Sequence, residues 1–143
     1  MTLRLNIEKD VLWVTVVNTG QERLRLWART CSWGWSIFSL LLAPVSLATQ
    51  WREYRVKPIR WTRNVPGTVE IPARGRFAYP LTNRDTRWEG LNASDALLKS
   101  ALQVRVRLLI GATPEALSLN VFIGEVLSDG IPSHPPHRWL LGD

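Results

Sequence analysis

Only one cysteine, Cys31, occurs in the 143 residues, and the two histidines, His134 and His137, stand close together near the C-terminal end. A lone cysteine excludes an intramolecular disulfide framework and a cysteine-built zinc module. In a strand-rich segment it reads as a buried structural thiol rather than a nucleophile. Two imidazoles without a neighbouring cysteine fall short of the three or four ligands that a stable metal centre uses. No metal and no cofactor are therefore expected. The sequence also lacks Gly-x-Gly-x-x-Gly, Gly-x-x-x-x-Gly-Lys-Ser/Thr, Gly-x-Ser-x-Gly and His-Glu-x-x-His. That removes the phosphate-cradling loop, the nucleophile elbow and the metalloprotease helix on which common enzymes are built. Glu53, Glu70, Glu89 and Asp95 are not spaced to place two carboxylates on one patch, and they read as solvated surface. An enzyme is not the expectation.

Long apolar runs are missing as well. Residues 1–10 alternate apolar and polar side chains, without the unbroken apolar core of a secretory signal. Without such a route the glycosylation-type triplet Asn92-Ala-Ser94 carries no weight. The longest uncharged run lies between Arg29 and Arg52 and has enough residues to cross a bilayer. Gly34 and Pro44 interrupt it, and Thr30, Ser32, Ser36, Ser39, Ser46, Thr49 and Gln50 would all sit inside. The expectation is a cytoplasmic chain that does not enter the membrane.

What is present points to a packed domain. A hydrophobic fraction of 45% argues against disorder, and a chain of this length forms one core without a covalent staple. The net charge is +6 and the sequence pI about 10.4. Fifteen of the 18 basic residues are Arg, which pairs two-point with carboxylate or phosphate where Lys offers a point charge. A GC-rich codon bias would give the same preference. The charge itself favours encounter with acidic partners, protein or nucleic acid.

The dominant period is two. In residues 23–29, Leu24, Leu26 and Ala28 alternate with Arg23, Arg25, Trp27 and Arg29; in 102–108, Leu102, Val104, Val106 and Leu108 alternate with Gln103, Arg105 and Arg107. Such alternation marks half-buried strands with one wet face. Strands are predicted near residues 3–7, 11–17, 23–29, 35–42, 51–57, 68–71, 76–81, 102–110 and 120–127. Asn18-Thr-Gly20-Gln reads as the turn of a hairpin joining the second and third. Two short helical pieces are predicted, at Ala96–Ala101 capped by Ser94 or Asn92, and after the cap Thr113 with Pro114 in first position. Residues 1–131 then form one antiparallel two-sheet sandwich, with barrel closure as the alternative. Residues 132–143, rich in proline, read as an extended tail whose prolines block ladder hydrogen bonds.

Residues 31–39 (Cys-Ser-Trp-Gly-Trp-Ser-Ile-Phe-Ser), 60–66 (Arg-Trp-Thr-Arg-Asn-Val-Pro) and 71–75 (Ile-Pro-Ala-Arg-Gly) together resemble small bacterial immunoglobulin-like sandwich domains of unknown role. The resemblance spans roughly residues 11–127 and implies an all-β immunoglobulin-like sandwich. The Cys…Trp…Cys spacing of antibody domains is missing, and no active-site residues carry over.

Two sets of residues suggest a binding role. The first is a cationic face made of Arg23, Arg25, Trp27 and Arg29, joined by Arg105 and Arg107 if the two strands share a sheet. Arg and Trp are the residues enriched at interface hot spots, so this face suits an acidic protein surface; an exposed strand edge offers a second docking mode. A protein partner is the expectation, as for an accessory subunit, an inhibitor or an immunity-type protein. The second set is Arg52, Arg55, Arg60 and Arg63, interleaved with Trp51 and Trp61, which with the first face would suit single-stranded nucleic acid. The competing reading of the arginine face is a plain solvated sheet surface. Among the tryptophans, Trp33 or Trp35 and one of Trp51 and Trp61 are predicted to fill the core.

Overall fold

The computed structural model describes residues 1–142. It is mostly β, with antiparallel sheets and a few short helices. Strands β1 (Thr2–Glu8), β2 (Val11–Val17) and β7 (Arg76–Thr82) form one sheet in the order β1-β2-β7. A second sheet runs β10-β8-β4-β5, from Ile131–Ser133, Leu102–Ile110, Phe38–Pro44 and Arg52–Arg55, with β9 (Gly124–Leu127) also paired to β8. A separate two-stranded ribbon pairs β3 (Leu24–Trp27) with β6 (Thr68–Ile71). The architecture is sandwich-like, and each predicted strand region overlaps one of these strands.

Alternation places the core. Leu102, Val104, Val106, Leu108 and Ile110 of β8 are all buried, as are Leu12, Val14 and Val16 of β2 and Phe38, Leu40 and Leu42 of β4. These side chains form one apolar cluster with Tyr79 and Leu81 of β7. The β1–β2 hairpin turns on two residues, Lys9 and Asp10, both at positive φ (50° and 61°), the backbone twist that suits a two-residue connection. β9 and β10 share one edge of β8 with a break between them. At the break Ser128 N donates to Val106 O, while the Ser128 hydroxyl accepts from Val106 N, both at 2.9 Å. The side chain thus replaces a ladder carbonyl, and a core strand keeps its N–H paired.

Four expectations change. The turn at Asn18 does not close a hairpin: β2 pairs with β1 and β7, and β3 pairs with β6. The Asn18 side chain bonds instead to the carbonyls of Ile71 and Pro72, so the chain leaves one sheet and enters the ribbon. The strand predicted from residue 35 starts at Phe38, because Ser32–Trp35 winds into a helical turn, α1. The short helical pieces are a 3₁₀ turn at Ala96–Lys99, capped by Asp95 rather than Ser94 or Asn92, and α2 (Pro114–Ser118), capped by Thr113 as predicted.

The fourth change concerns residues 132–143, expected as an extended tail. β10 crosses the 131/132 boundary and pairs with β8, Pro132 facing Gln103 on an outer strand where a missing N–H is tolerated. α3 (Arg138–Leu141) follows and buries Trp139 and Leu140 in the core. His137, 1% exposed, fixes this segment. Its Nε2 lies 2.9 Å from the Ser100 carbonyl, and its Nδ1 lies 2.7 Å from the Ser133 hydroxyl. A carbonyl only accepts, so Nε2 carries the proton and Nδ1 accepts from Ser133, whose oxygen accepts from Trp139 Nε1 at 2.8 Å.

Burial holds the His137 proton affinity below its ordinary value, opposed by the Ser100 bond and furthered by His134. The neutral ring is the folded form, so its contribution is complete above the unfolded value of about 6.5 and declines as the pH falls toward the lower folded one. Urea midpoints should accordingly hold steady above neutrality and drop below about pH 6.5. His137→Gln should start from lower stability and flatten that drop; an undiminished drop in the variant would assign it to other groups.

Candidate interaction surface

The predicted arginine face does not form. β3 lies in the ribbon and β8 in the five-stranded sheet, so Arg23 and Arg25 share no sheet with Arg105 and Arg107. Most of these guanidinium groups are also engaged within the chain. Glu70, opposite Arg25 in the ribbon register, is clamped by Arg25 Nη2 and by Arg23 Nη1, the latter at 3.2 Å. The bond from Arg25, with help from Arg23, holds the Glu70 carboxyl below its usual range. Arg25 Nη1 also donates to Leu119 O at 2.9 Å. Arg107 sits between Glu53 and Glu125, at 3.6 and 3.1 Å, and the Arg105 guanidinium lies 5.1 Å from the centre of the Trp51 ring. Antiparallel register sets Glu70 face to face with Arg25, whereas Arg107 reaches Glu125 diagonally on β9 and Glu53 across β4 on β5.

Trp27, expected outside, is 2% exposed. It ends β3, and α1 folds back over the face that alternation had assigned to solvent. Trp33 from that turn stacks on Trp27 with ring centres 5.9 Å apart. Tyr79 donates its hydroxyl to Trp27 O at 3.0 Å. The fully buried tryptophans are thus Trp27 and Trp139, whereas Trp33, Trp35, Trp51 and Trp61 are half-buried. Cys31 is buried, its thiol 3.3 Å from Ala28 O.

Arg29 is half-buried. Its guanidinium carbon lies 4.5 Å from the Trp35 ring centre, and both Nη atoms reach Thr86 Oγ1 at 3.3 Å. Burial lowers its pKa, with Asp85 and Tyr79 opposing. Burial also raises the Tyr79 pKa, against the influence of Arg29.

The second set of arginines is arranged differently. Arg52 pairs with Asp95 at 3.6 Å. Arg55, Arg60 and Arg63 are exposed, and among the described residues none of them, nor Lys57, has a carboxylate within ion-pair distance. All four lie in a stretch that has no acidic residue between Glu53 and Glu70. The loop that carries most of them is anchored at both ends. Trp35 Nε1 donates to Lys57 O at 3.2 Å. Asn64 exchanges two bonds with Ser32, accepting from its N–H at 2.9 Å and donating to its hydroxyl at 2.6 Å. Trp61 meets the Trp35 ring edge-on, 6.1 Å between centres. α1 therefore serves as a bracket for a basic–aromatic loop. The roles of Trp35, Ser32 and Asn64 were not read from the sequence, but the acid-free run was visible there.

Among the described residues no group of three His, Cys, Asp or Glu side chains is placed to hold a metal ion, and no helix is long and apolar enough to cross a membrane. No family model, curated protein or solved structure matches the chain.

Proposed function

We propose that the chain is a non-enzymatic interaction module that docks an acidic protein surface through the loop carrying Arg55, Lys57, Arg60 and Arg63. The observation that carries this reading is the contrast between the two arginine sets: Arg23, Arg25 and Arg107 pair with carboxylates and Arg105 lies over Trp51, while Arg55, Lys57, Arg60 and Arg63 are exposed and, among the described residues, have no carboxylate within ion-pair distance. Unpaired arginines beside a half-buried tryptophan supply both steering charge and an anchor. The Ser133–His137 pair is buried and engaged in the packing of the C-terminal segment. An immunoglobulin-like reading of the fold is supported by strand order. β1-β2-β7 corresponds to A-B-E, and β9/β10-β8-β4-β5 to G-F-C-C′, with β3 as an addition paired to β6 in the D position.

A host-cell co-purification tests the docking reading. The double variant Arg60→Glu/Arg63→Glu should lose at least about tenfold in partner retention, since charge reversal at a rim slows association and adds repulsion. Arg23→Glu, exposed but already committed to Glu70, should retain the partner. Equal retention by the double variant would refute the loop as the site. A second reading, single-stranded nucleic acid, is favoured by the interleaving of Trp61 with arginines. It requires oligonucleotide affinity that falls steeply with salt.

A further inference from the structure

We propose that the cleft beside Arg29 takes the free C-terminal carboxylate of a partner polypeptide whose last side chain is apolar; this deepens the protein-docking reading above and rests on it. The cleft has a volume of about 390 Å³ and is lined by Arg29, Trp35, Asp85, Val69, Phe77 and Tyr79 among others. Its walls are thus mainly apolar, with one cation and one carboxylate. Trp35 is a wall of the cleft and also the ring that Trp61 meets, so the cleft lies next to the basic loop.

Arg29 is poorly served by the chain itself. Its Nη contacts are long, 3.3 Å to Thr86 twice and 3.4 Å to the Trp35 carbonyl, and its buried Nε has no partner. Charge-assisted bonds to a guanidinium are normally about 2.7–2.9 Å. Among the described residues no carboxylate lies within ion-pair distance of Arg29. Thr86 stands between the two charges, accepting from Arg29 and donating to Asp85 Oδ1 at 3.2 Å. Thr82 donates to that same oxygen, which leaves Asp85 Oδ2 without a hydrogen-bond partner among the described residues. A half-buried guanidinium with weak contacts is completed by a carboxylate.

The second charge narrows the ligand. Asp85 repels a doubly charged anion such as phosphate, but it accepts an N–H. A terminal residue carries its carboxylate and its amide N–H on one Cα, matching a cation and an acceptor within one cleft. Val69, Phe77 and the faces of Trp35 and Tyr79 then cover the side chain, and Phe77 is 37% exposed at an open rim.

The probes are N-acetyl-L-phenylalanine and its C-terminal amide, titrated into the whole chain with two-dimensional NMR as readout. The acid should bind at least about tenfold tighter than the amide, as expected when a charge-assisted bond is removed. Arg29→Gln should erase that preference. Phe77→Ser, at the rim and outside the packed interior, should weaken both probes and keep the preference. An amide that binds as well as the acid, or an acid that shifts no cleft resonance in the folded protein, would overturn the proposal. Arg60→Glu/Arg63→Glu separates the two readings. If it abolishes partner capture while the acid fails to bind wild type, the cleft is refuted and the loop stands; if the acid binds and capture survives the double variant, the loop is refuted and the cleft stands.

Discussion

Gly34→Ala should destabilise the chain by more than about 3 kcal/mol, beyond the ordinary range for a point substitution. Helix propensity predicts the opposite sign, since Ala is favoured over Gly by about 1 kcal/mol in a helical turn. Sterics decide the matter. A Cβ on Gly34 would lie 1.9 Å from Ala28 O, 2.6 Å from its carbonyl carbon and 2.9 Å from Trp27 Cβ. The Ala28 atoms are backbone just past β3 and the Trp27 Cβ is fixed to its last residue, so none can rotate away like the end of a flexible side chain. The only relief is to lift α1, which separates Trp33 from Trp27 and moves Trp35 away from Arg29 and Lys57. Gly111→Ala is the control, because nothing lies within 4 Å of its added methyl; it should change stability by no more than about 0.5 kcal/mol. Urea midpoints at unchanged slope report both. Wild-type stability for Gly34→Ala would mean that α1 does not rest on Ala28, and the bracket for the basic loop would go with it.

The same close approach explains what alternation could and could not reveal. Where a strand has one core face and one open face, as in β8, period two reads directly as inside and outside. β3 breaks the rule at its last residue, since a single turn of helix doubles back and covers Trp27 from the other side. No periodic signal marks a four-residue turn; Gly34 between two tryptophans was the available hint, and its meaning depends on Ala28 being near. The candidate surface failed for a related reason. Alternation gives the face of a strand but not its sheet; register sets Glu70 opposite Arg25, and sheet order brings Glu53 from β5 and Glu125 from β9 to Arg107. Charges that look free along a sequence are paired across strands. The stretch from Arg55 to Arg63 contains no acidic residue, and among the described residues its cations have no carboxylate within ion-pair distance, so there the two views agree. Proline content does not mark residues 132–143 as extended, because Pro132 excludes a central strand but not a short outer one, and the apolar surface that buries Trp139 and Leu140 is assembled only by the fold.

Asn18→Ala should cost about 2–4 kcal/mol, as several partly buried groups lose their partners at once. Asn18 is 5% exposed, and its side-chain amide is used on every side. Nδ2 donates to the carbonyls of Glu22, Ile71 and Pro72 at 2.8, 3.2 and 3.1 Å, and Oδ1 accepts from Gly20 N at 3.0 Å. Its own N–H meets Gly75 O at 2.9 Å. One residue thus ties the corner where β2 passes into β3 to the corner where β6 passes into β7, and both pairs of strands bend together. Asn18→Asp separates hydrogen bonding from shape. It keeps the size of the side chain but turns the donor into a charged oxygen facing three carbonyls, so it should be worse than Asn18→Ala at neutral pH. Protonation restores a donor, and the deficit of Asn18→Asp should shrink as the pH is lowered while that of Asn18→Ala should not. Hydrogen exchange locates the damage: Leu24 and Leu26 amides in the ribbon should lose protection before those of Val104 and Val106, whose strand lies between β4 and the β9/β10 edge. If all four amides lose protection together, the ribbon is not a separable unit, and the loop beyond Gly67 draws its position from the whole sandwich rather than from this corner.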